Sequence, residues 1–464
     1  GDHRTAAGRV WEGASKSMSS IPQPLLKIGY NVLFTIGFAL TWPYLTYLIW
    51  RRQPFWERLG ERLGHYPPDL KEWLKDPRRP IWIHAVSVGE MLLARVLVRE
   101  LRALRPNLRI LLTTGTPTGR RMGEPLLDPQ TRMVYAPTDF YYSMLRAFRR
   151  IRPTALILVE NEIWPNMLWR AEKMGVKVFL VNSRLSRRNR RLFRIARSFV
   201  RPVLQLFDWI GVQSPEDMRR FAMAGFPEEH LHLMGSMKYD VAALASDHPG
   251  KGLEVRQAAG WDQGQVLFLG GSTHPGEEKI LAELVRALRG KHPELRLMLV
   301  PRHVERTSSI LAELRGTGLR VMRRSDLESQ GGSDPEIVLV DTTGELRDLY
   351  PTADLVFIGK TMSGTGGQNF LEAARYGRAI VAGPHMENFM SLRREFEETK
   401  GIRVAGSAEE LERVVGELLA NREEREELGR RAKACFQEHL GAGRRCAEVL
   451  IGEIAKSERS SARD

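Results

Sequence analysis

Two groups of acidic side chains in the first half of the sequence have the setting that proton-transfer chemistry requires. Glu90 ends the segment HAVSVGE (84–90) and opens an amphipathic stretch, so it lies at the predicted N-terminus of a helix. The helix dipole there favours the ionised carboxylate that a general base needs, and Gly89 lets a substrate approach the backbone. An ordinary acidic helix start is the alternative, and the residues alone leave both explanations open.

The second acidic group lies in the segment ENEIWPN (160–166), directly after the apolar run 155–159. Catalytic side chains of open α/β sheets collect where the strands end. Glu160 is adjacent to the run and is the stronger candidate, whereas Glu162 is equally well explained as a helix cap. Lys238 is a candidate cation near the predicted interdomain connection, with a solvated lysine as the alternative.

Three polar loops in the second half could hold a phosphate or a nucleotide. GGSTH (270–274) and PRH (301–303) follow apolar runs, and GTGGQNFLE (364–372) opens a helix. Backbone N–H groups at helix N-termini and the forked guanidinium of Arg302 suit phosphate, and Glu372 is placed to accept hydrogen bonds from ribose hydroxyls. A tight glycine turn explains the first loop equally well, but several such loops in one half indicate a nucleotide site.

A basic stretch, residues 184–201, places eight arginines among apolar side chains. A basic amphipathic helix suits an anionic membrane surface or a lipid phosphate. A solvated face with a buried apolar stripe is the alternative. The arginines predicted to contact the acceptor or the membrane are Arg184, Arg187, Arg188, Arg191 and Arg194.

Short apolar runs alternate with amphipathic stretches after Pro80, which predicts strands alternating with helices and therefore parallel sheets. The alternation pauses over 246–264 and then resumes. We predict an α/β fold of two doubly wound halves, with ligands at the carboxyl ends of the strands in a cleft between them. The predicted segments are a tail (1–24), an apolar anchor helix (25–52), a first domain (53–240), a second domain with closing helices (241–455) and a tail (456–464).

The anchor prediction rests on an uncharged run of roughly 23 residues (28–50), long enough for one membrane-spanning helix. A helix lying in the membrane interface is the alternative, and a cleaved signal peptide is disfavoured because a small-residue cleavage motif is missing. Basic residues within 51–62 place the body of the protein in the cytoplasm by the positive-inside tendency.

Composition adds broader limits. A length of 464 residues favours two hydrophobic cores, and a formal charge of +14 indicates an anionic partner such as nucleic acid, an anionic bilayer or a phosphorylated substrate. Cys435 and Cys446 would lie roughly 16 Å apart on one helix, which argues against a disulfide and for a reducing compartment. The sequence contains neither a zinc-spaced cluster of histidine and cysteine nor a complete Walker motif.

Taken in order, the motifs resemble the 3-deoxy-D-manno-octulosonic acid (Kdo) transferases, bacterial glycosyltransferases with the GT-B arrangement of two Rossmann-like domains. The resemblance covers nearly the whole chain. The segments that carry it are HAVSVGE (84–90), TPTGRR (116–121), ENEIWPN (160–166), NSRLS (182–186), GSMKYD (235–240), GSTHPGEE (271–278), PRHVER (301–306), DTTGEL (341–346) and GGQNFLEAA (366–374).

The resemblance implies inverting transfer of Kdo from CMP-Kdo to the lipid A precursor, lipid IVA, at the cytoplasmic face of the bacterial inner membrane. Glu90 would be the general base, assisted by Glu160 and Lys238. Anionic membrane lipids would be partners and nucleic acid would not, and no tightly bound metal or other cofactor is expected. The residues implied in substrate or donor binding are Ser87, Ser272, Thr273, Pro301, Arg302, His303, Thr343, Gly344, Glu345, Gly367, Asn369, Phe370, Leu371 and Glu372.

The sequence departs from the family pattern around the predicted donor pocket. Gln368, Phe370 and Ala373 stand where the family usually has histidine, proline and proline, and the segment PHMENF (384–389) carries an extra charge. Two other functions therefore stay open: a GT-B transferase or epimerase that uses another nucleotide sugar such as UDP-GlcNAc, and an inactive membrane-tethered protein that binds lipid or nucleic acid.

Overall fold

The computed structural model describes residues 22–52, 58–160, 162–185, 197–244, 249–329 and 334–461. Within it the chain forms two compact units. The first contains residues 1–237 and 442–464, and the second contains residues 238–441. Each unit is built around one parallel sheet of seven strands, so the predicted α/β class is confirmed.

The sheet of the first unit has the strand order β3-β2-β1-β4-β5-β6-β7. Its strands are almost entirely buried because helices cover both faces, as parallel sheets require. The order reverses between β1 and β4, which pair directly. The strands are β1 (Ile81–His84), β2 (Ile110–Thr114), β3 (Thr131–Tyr135), β4 (Ala155–Val159), β5 (Lys177–Ser183), β6 (Trp209–Val212) and β7 (Leu231–Leu233).

The helices of the first unit lie between these strands and at both ends of its sequence. They are α1 (Gln23–Arg52), α2 (Leu59–Arg62), α3 (Pro68–Trp73), α4 (Val88–Leu104), α5 (Pro117–Gly123), α6 (Tyr141–Ile151), α7 (Pro165–Lys173), α8 (Arg197–Leu204), α9 (Pro215–Ala224) and α19 (Ala442–Ser461).

Helix α1 docks on the unit through aromatic and polar contacts. The rings of Phe34 and Phe38 pack edge-on against Phe140, and the Tyr30 hydroxyl donates a 2.8 Å hydrogen bond to Asp139. On its other side the helix exposes large apolar side chains. By length and composition, Gln23–Thr41 qualifies as one candidate membrane span. The exposed apolar side chains are Leu25, Ile28, Val32, Leu33, Ile36 and Leu40.

The second unit repeats the plan with the strand order β10-β11-β9-β8-β12-β13-β14, which reverses between β8 and β12. Its strands are β8 (Val266–Thr273), β9 (Leu295–Pro301), β10 (Val321–Arg323), β11 (Ile337–Leu339), β12 (Leu355–Ile358), β13 (Ala379–Ala382) and β14 (Arg403–Val404). Its helices are α10 (Lys238–Ala243), α11 (Pro249–Ala258), α12 (Glu277–Leu288), α13 (Thr307–Leu314), α14 (Leu346–Leu349), α15 (Leu371–Arg375), α16 (Met390–Glu398), α17 (Ala408–Ala420) and α18 (Arg422–Glu438).

The C-terminal helix differs from the prediction. The sequence placed residues up to 455 in the second domain, but α19 packs against α4 of the first unit, where Cys446 and Leu450 are fully buried. The first boundary also falls slightly earlier, between Met237 and Lys238. Local patterns give the apolar face of a helix without indicating which distant surface covers it. Both cysteines are free and buried, but they lie on two helices, Cys435 on α18 and Cys446 on α19, and not on one helix as predicted.

Candidate active site

The two acidic groups predicted from the sequence follow neighbouring strands in the first unit. Strands β1 and β4 pair in parallel, with His84 beside Leu158. The segments containing Glu90 and Glu160 therefore leave the same edge of the sheet, at the point where the strand order reverses. Open α/β sheets bind ligands at this position. The structure thus brings together two of the three predicted catalytic residues.

Glu90 lies in the first turn of α4 and forms a capping box with Ser87. Its carboxylate accepts hydrogen bonds from the Val86 N–H at 2.6 Å and from the Ser87 hydroxyl at 2.9 Å. Burial nevertheless raises the pKa of Glu90, and the nearby charge of Glu160 adds to the rise. Desolvation therefore outweighs the hydrogen bonds that stabilise the ionised carboxylate. Ser87 positions Glu90 through these contacts, and its predicted contact with substrate stays a prediction.

Glu160 is held in an unusual backbone conformation at the end of β4. Its φ is 60°, and that of Asn182 on β5 is 56°, so two non-glycine residues here adopt the left-handed region at about 1–2 kcal/mol each. The side-chain nitrogen of Asn182 lies 3.4 Å from the Glu160 carboxylate. The side-chain oxygen of Asn182 accepts a 2.8 Å hydrogen bond from the Met237 N–H. Outliers of this kind concentrate at functional sites. Asn182 was not predicted as a site residue, although it lies in the motif NSRLS.

Glu162 is not a helix cap, because α7 begins after Trp164 without a side-chain cap. Instead its carboxylate accepts a 2.6 Å hydrogen bond from the Trp164 indole N–H. Burial, followed by the charges of Glu90 and Glu160, raises the pKa of Glu162 to about 7. Three carboxyl groups that influence one another therefore occupy this edge of the sheet.

His84 faces the carboxyl cluster and was not predicted as a site residue. Its ring is buried, which lowers its pKa to about 4, so the imidazole is neutral. Nδ1 lies 2.9 Å from the Thr113 hydroxyl oxygen, which also accepts the Trp82 indole N–H at 2.8 Å. Nε2 has no hydrogen-bond partner among the described residues and lies 4.0 Å from Glu162.

The third predicted catalytic residue, Lys238, begins α10 in the second unit. Its ammonium group lies 5.6 Å from the ring centroid of Phe389, a distance at which a cation is attracted to an aromatic face. The side chain is partly buried, so the alternative of a fully solvated lysine does not describe it.

The predicted phosphate loop after β8 is organised by two buried glutamates. Thr273 is fully buried and donates its hydroxyl to Glu278, which also pairs with Arg306 at 2.9 Å. The Thr273 hydroxyl is therefore engaged in this network. Its side chain supports the loop and is not exposed to a donor, in contrast to the predicted donor contact. Ser272 has φ 54° and stays partly accessible.

Glu277, the second of these glutamates, was not predicted. Its fully buried carboxylate accepts backbone N–H groups from His274, Lys360, Thr361 and Met362 at 2.7–3.0 Å. The loops after β8 and β12, which follow the two strands at the reversal point of this sheet, are therefore tied to one side chain. In the sequence, a glutamate at the start of a helix is explained by the preference for acidic residues in the first turn. Its role in connecting two loops is therefore not apparent from the sequence.

The loop after β9 presents a basic side chain to solvent. Pro301 ends the strand and is buried, whereas Arg302 and His303 are exposed. The Arg302 backbone N–H bonds to the Thr273 carbonyl, which fixes the loop beside the preceding one. Within the described part of the chain, no acidic side chain pairs with the Arg302 guanidinium, so its charge is available to an anion. His303 lies 3.4 Å from Glu305.

The remaining predicted donor residues divide into accessible and core positions. Thr343, Gly344 and Asn369 are exposed, and Glu345 lies 3.5 Å from Arg324. The Glu372 carboxylate pairs with Arg347 at 2.9 Å and remains partly exposed, as a hydroxyl-binding group requires.

Phe370 and Leu371 have side chains that are fully buried in the hydrophobic core, and their contact with the donor stays a prediction. Phe370 packs edge-on against Phe396, which fixes the start of α15. Gly367 has a φ of 70°, and glycine adopts this turn without strain.

Of the arginines predicted for acceptor or membrane contact, Arg184 follows β5 and is partly buried. Arg187, Arg188, Arg191 and Arg194 lie outside the described residues. Across the described ranges, no group of three or more histidine, cysteine, aspartate or glutamate residues has the arrangement of a metal site.

The fold and its polar strand ends define the class of protein. The chain resembles the crystal structure of a putative UDP-N-acetylglucosamine 2-epimerase from Listeria monocytogenes with a TM-score of 0.56 and 14% identity, covering 83% of this chain and 97% of that one. At this identity the likeness shows the fold alone. It is the GT-B type of α/β protein that the sequence predicted.

Sequence comparison defines the family within this class. Residues 57–241 match the family of 3-deoxy-D-manno-octulosonic-acid transferases (kdotransferases). The chain is 32% identical over 395 residues to the 3-deoxy-D-manno-octulosonic acid transferase of Haemophilus influenzae, covering 85% of this chain and 91% of that protein. Identity to the Bordetella pertussis transferase is 33% over 380 residues, covering 80% and 86%. The chain belongs to the Kdo transferase family and is a glycosyltransferase, which confirms the predicted resemblance.

Proposed function

We propose that the chain catalyses inverting transfer of Kdo from CMP-Kdo to the lipid A precursor lipid IVA in lipopolysaccharide biosynthesis. The observation that carries this proposal is the carboxylate of Glu90, held by three hydrogen bonds from Val86 and Ser87 at the edge of the first sheet where the strand order reverses, with its pKa raised by burial. A raised pKa makes the carboxylate a stronger base toward a hydroxyl proton.

The proposed reaction exchanges one carbon–oxygen bond for another. The acceptor hydroxyl oxygen attacks the anomeric carbon of Kdo while Glu90 takes its proton. The bond between that carbon and the phosphate oxygen breaks, and CMP leaves with the electron pair. As in inverting glycosidases, no covalent sugar–enzyme intermediate is needed.

Charge stabilisation is assigned to both units. In the second unit, the Arg302 guanidinium and the Lys238 ammonium are proposed to stabilise the charge of the leaving phosphate. Glu345 and Glu372 are proposed to bind the nucleoside, Glu372 through the ribose hydroxyls. In the first unit, Glu160 supports the developing positive charge on the sugar. A monophosphate leaves with less charge than a diphosphate, so we expect transfer without a tightly bound metal.

We further propose that α1 attaches the protein to the bacterial inner membrane with its body on the cytoplasmic face. The exposed apolar side chains of α1, which would be poorly solvated in water, support this proposal. Anionic lipids are the proposed membrane partners, and the net charge of +14 agrees with them.

The test is product mass spectrometry of the purified full chain incubated with CMP-Kdo and lipid IVA, beside the Glu90→Gln variant. We expect a mass increase of one or more Kdo residues with the wild-type chain and none with the variant. Turnover with a UDP-sugar that is inhibited by UDP and not by CMP would favour the epimerase-like alternative. Lack of turnover with any donor, in a folded protein that binds lipid, would favour the inactive binding protein.

A further inference from the structure

A cavity of about 230 Å³ lies in the first unit where α1 meets α6 and α7, apart from the carboxyl cluster. Asn31 on α1 and Asn166 on α7 exchange amide hydrogen bonds at 3.0–3.2 Å beside it, which fixes the helix against the body. The cavity is lined by basic, amide and aromatic side chains: Lys27, Asn31, Tyr141, Trp169, Arg170 and Lys173 among them.

Two of the three basic side chains that line this cavity have no acidic partner among the described residues. Arg170 is only 8% exposed, yet no acidic side chain among the described residues pairs with its guanidinium. It stacks on the ring of Tyr141 at 4.9 Å. Lys173 is exposed and also has no acidic partner within the described ranges, whereas Lys27 lies 3.8 Å from Glu172. A buried guanidinium without a counter-charge is costly, so the cavity favours an anion with several oxygen acceptors.

The position of the cavity indicates where that anion comes from. Lys27 and Asn31 belong to the same helix that exposes Ile28, Val32 and Leu33, which are 52–70% exposed. Lipid acyl chains that cover the apolar side of α1 would place their headgroups at the level of Lys27. The Lys27 ammonium also lies 5.6 Å from the centroid of the Trp169 ring, an arrangement suited to the boundary between apolar and polar layers.

We propose that this cavity binds the phosphate headgroup of an anionic phospholipid from the bilayer that surrounds α1. The Arg170 and Lys173 side chains bind the phosphate oxygens, and Lys27 and Tyr141 close the site. The inference rests on the proposed membrane attachment. It adds a defined lipid site on the body, separate from the candidate active site.

The experiment measures binding of the full chain to vesicles of phosphatidylcholine, with and without phosphatidylglycerol. Wild-type protein should bind the anionic vesicles more tightly, and Lys173→Gln should reduce this preference about fivefold, the effect of one basic residue near an anionic surface. Lys71→Gln on α3, an exposed lysine outside the cavity, is the matched control. Arg170→Lys should keep the preference in part, whereas Arg170→Gln should lose it. If the variants at the buried Arg170 fail to fold, Lys173→Gln still tests the site.

Several outcomes would overturn the assignment. Equal losses in Lys173→Gln and Lys71→Gln would show diffuse attraction instead of a site. Inorganic phosphate that abolishes the preference at low concentration would point to a free phosphate, and displacement of the phospholipid by lipid IVA would reassign the cavity to the acceptor. The transfer assay separates the two proposals. Product formation with unchanged vesicle binding in Lys173→Gln overturns only the lipid site, and selective lipid binding without transfer overturns only the proposed reaction.

Discussion

The Nε2 atom of His84 lies 4.0 Å from the Oε2 atom of Glu162. Because Thr113 accepts the Trp82 indole N–H, its own hydroxyl proton is free to point at Nδ1 of His84. We infer that the neutral ring then carries its proton on Nε2, directed at the Glu162 carboxyl group. A buried chain of three side chains, Trp82, Thr113 and His84, thus ends beside a carboxyl group whose pKa is raised to about 7, at a distance too long for a direct hydrogen bond.

The first prediction concerns the pH dependence set by this cluster. The charge of Glu160 raises the pKa of Glu90 by repulsion, so Glu160→Gln should lower the pKa of Glu90. A base works above its pKa and loses activity as the pH falls through it. The acidic limb of kcat/KM should therefore lie above the ordinary glutamate value of 4.5 in the wild type and move to lower pH in Glu160→Gln. The exposed Glu124→Gln is the control, and a limb that does not move would refute the coupling.

The second prediction tests the base itself. Glu90→Gln should lower kcat by about 10²- to 10⁴-fold, because the amide cannot take the acceptor proton. CMP binding, measured by calorimetry, should stay nearly unchanged. The capping interaction can survive in this variant because the amide oxygen still accepts the Val86 N–H. Normal turnover by a folded Glu90→Gln protein would end the assignment.

The third prediction concerns the loops tied by Glu277. Glu277→Gln places an amide nitrogen among backbone N–H groups, so it should destabilise the second unit by about 1–3 kcal/mol and weaken CMP binding. Urea unfolding and calorimetry measure the two effects. Glu283→Gln lies on the exposed side of the same helix and should change neither value. Unchanged CMP affinity in a destabilised Glu277→Gln protein would show that this side chain does not organise the donor-binding loops.

The fourth prediction concerns the docking of α1. Burial raises the pKa of Asp139 from 3.8 to about 7, despite hydrogen bonds from Tyr30, Asn166 and Met167. The folded state therefore holds a proton that the unfolded chain releases. The resulting stability is fully present below pH 3.8 and is lost as the pH rises through about 7. Unfolding in detergent at about pH 5 and about pH 8 should show this loss in the wild type and a smaller one in Asp139→Asn. Identical pH profiles of the free energy of unfolding in the wild type and in Asp139→Asn would contradict this prediction.

Strand positions were predicted well from the sequence where a strand is an apolar run of consecutive residues. The limits of β4 match the predicted run 155–159 because it is an uninterrupted apolar run with polar residues after it. Strand β3 was not predicted, since its polar residues Thr131 and Arg132 break the apolar pattern. Strand β14 contains only two residues, too few for any periodicity.

The candidate site was predicted in part. Glu90 and Glu160 were found because acidic residues after apolar runs are a local signal. His84 and Asn182 were not assigned roles, since their importance comes from contacts 22 to 55 positions away in the chain, as between Asn182 and Met237. The same limit explains Phe370, whose place in a glycine-rich loop suggested ligand contact, whereas tertiary packing buries it completely.

The return of α19 to the first unit has a consequence for biosynthesis. The surface of α4 that Cys446 and Leu450 cover is synthesised some 340 residues earlier than its cover, by the difference between positions 446 and 104. While a ribosome makes the intervening unit, that apolar strip has no native partner. The apolar surface of α4 is therefore open to aggregation until α19 has been synthesised, and the core of the first unit is completed only after the whole second unit has been made.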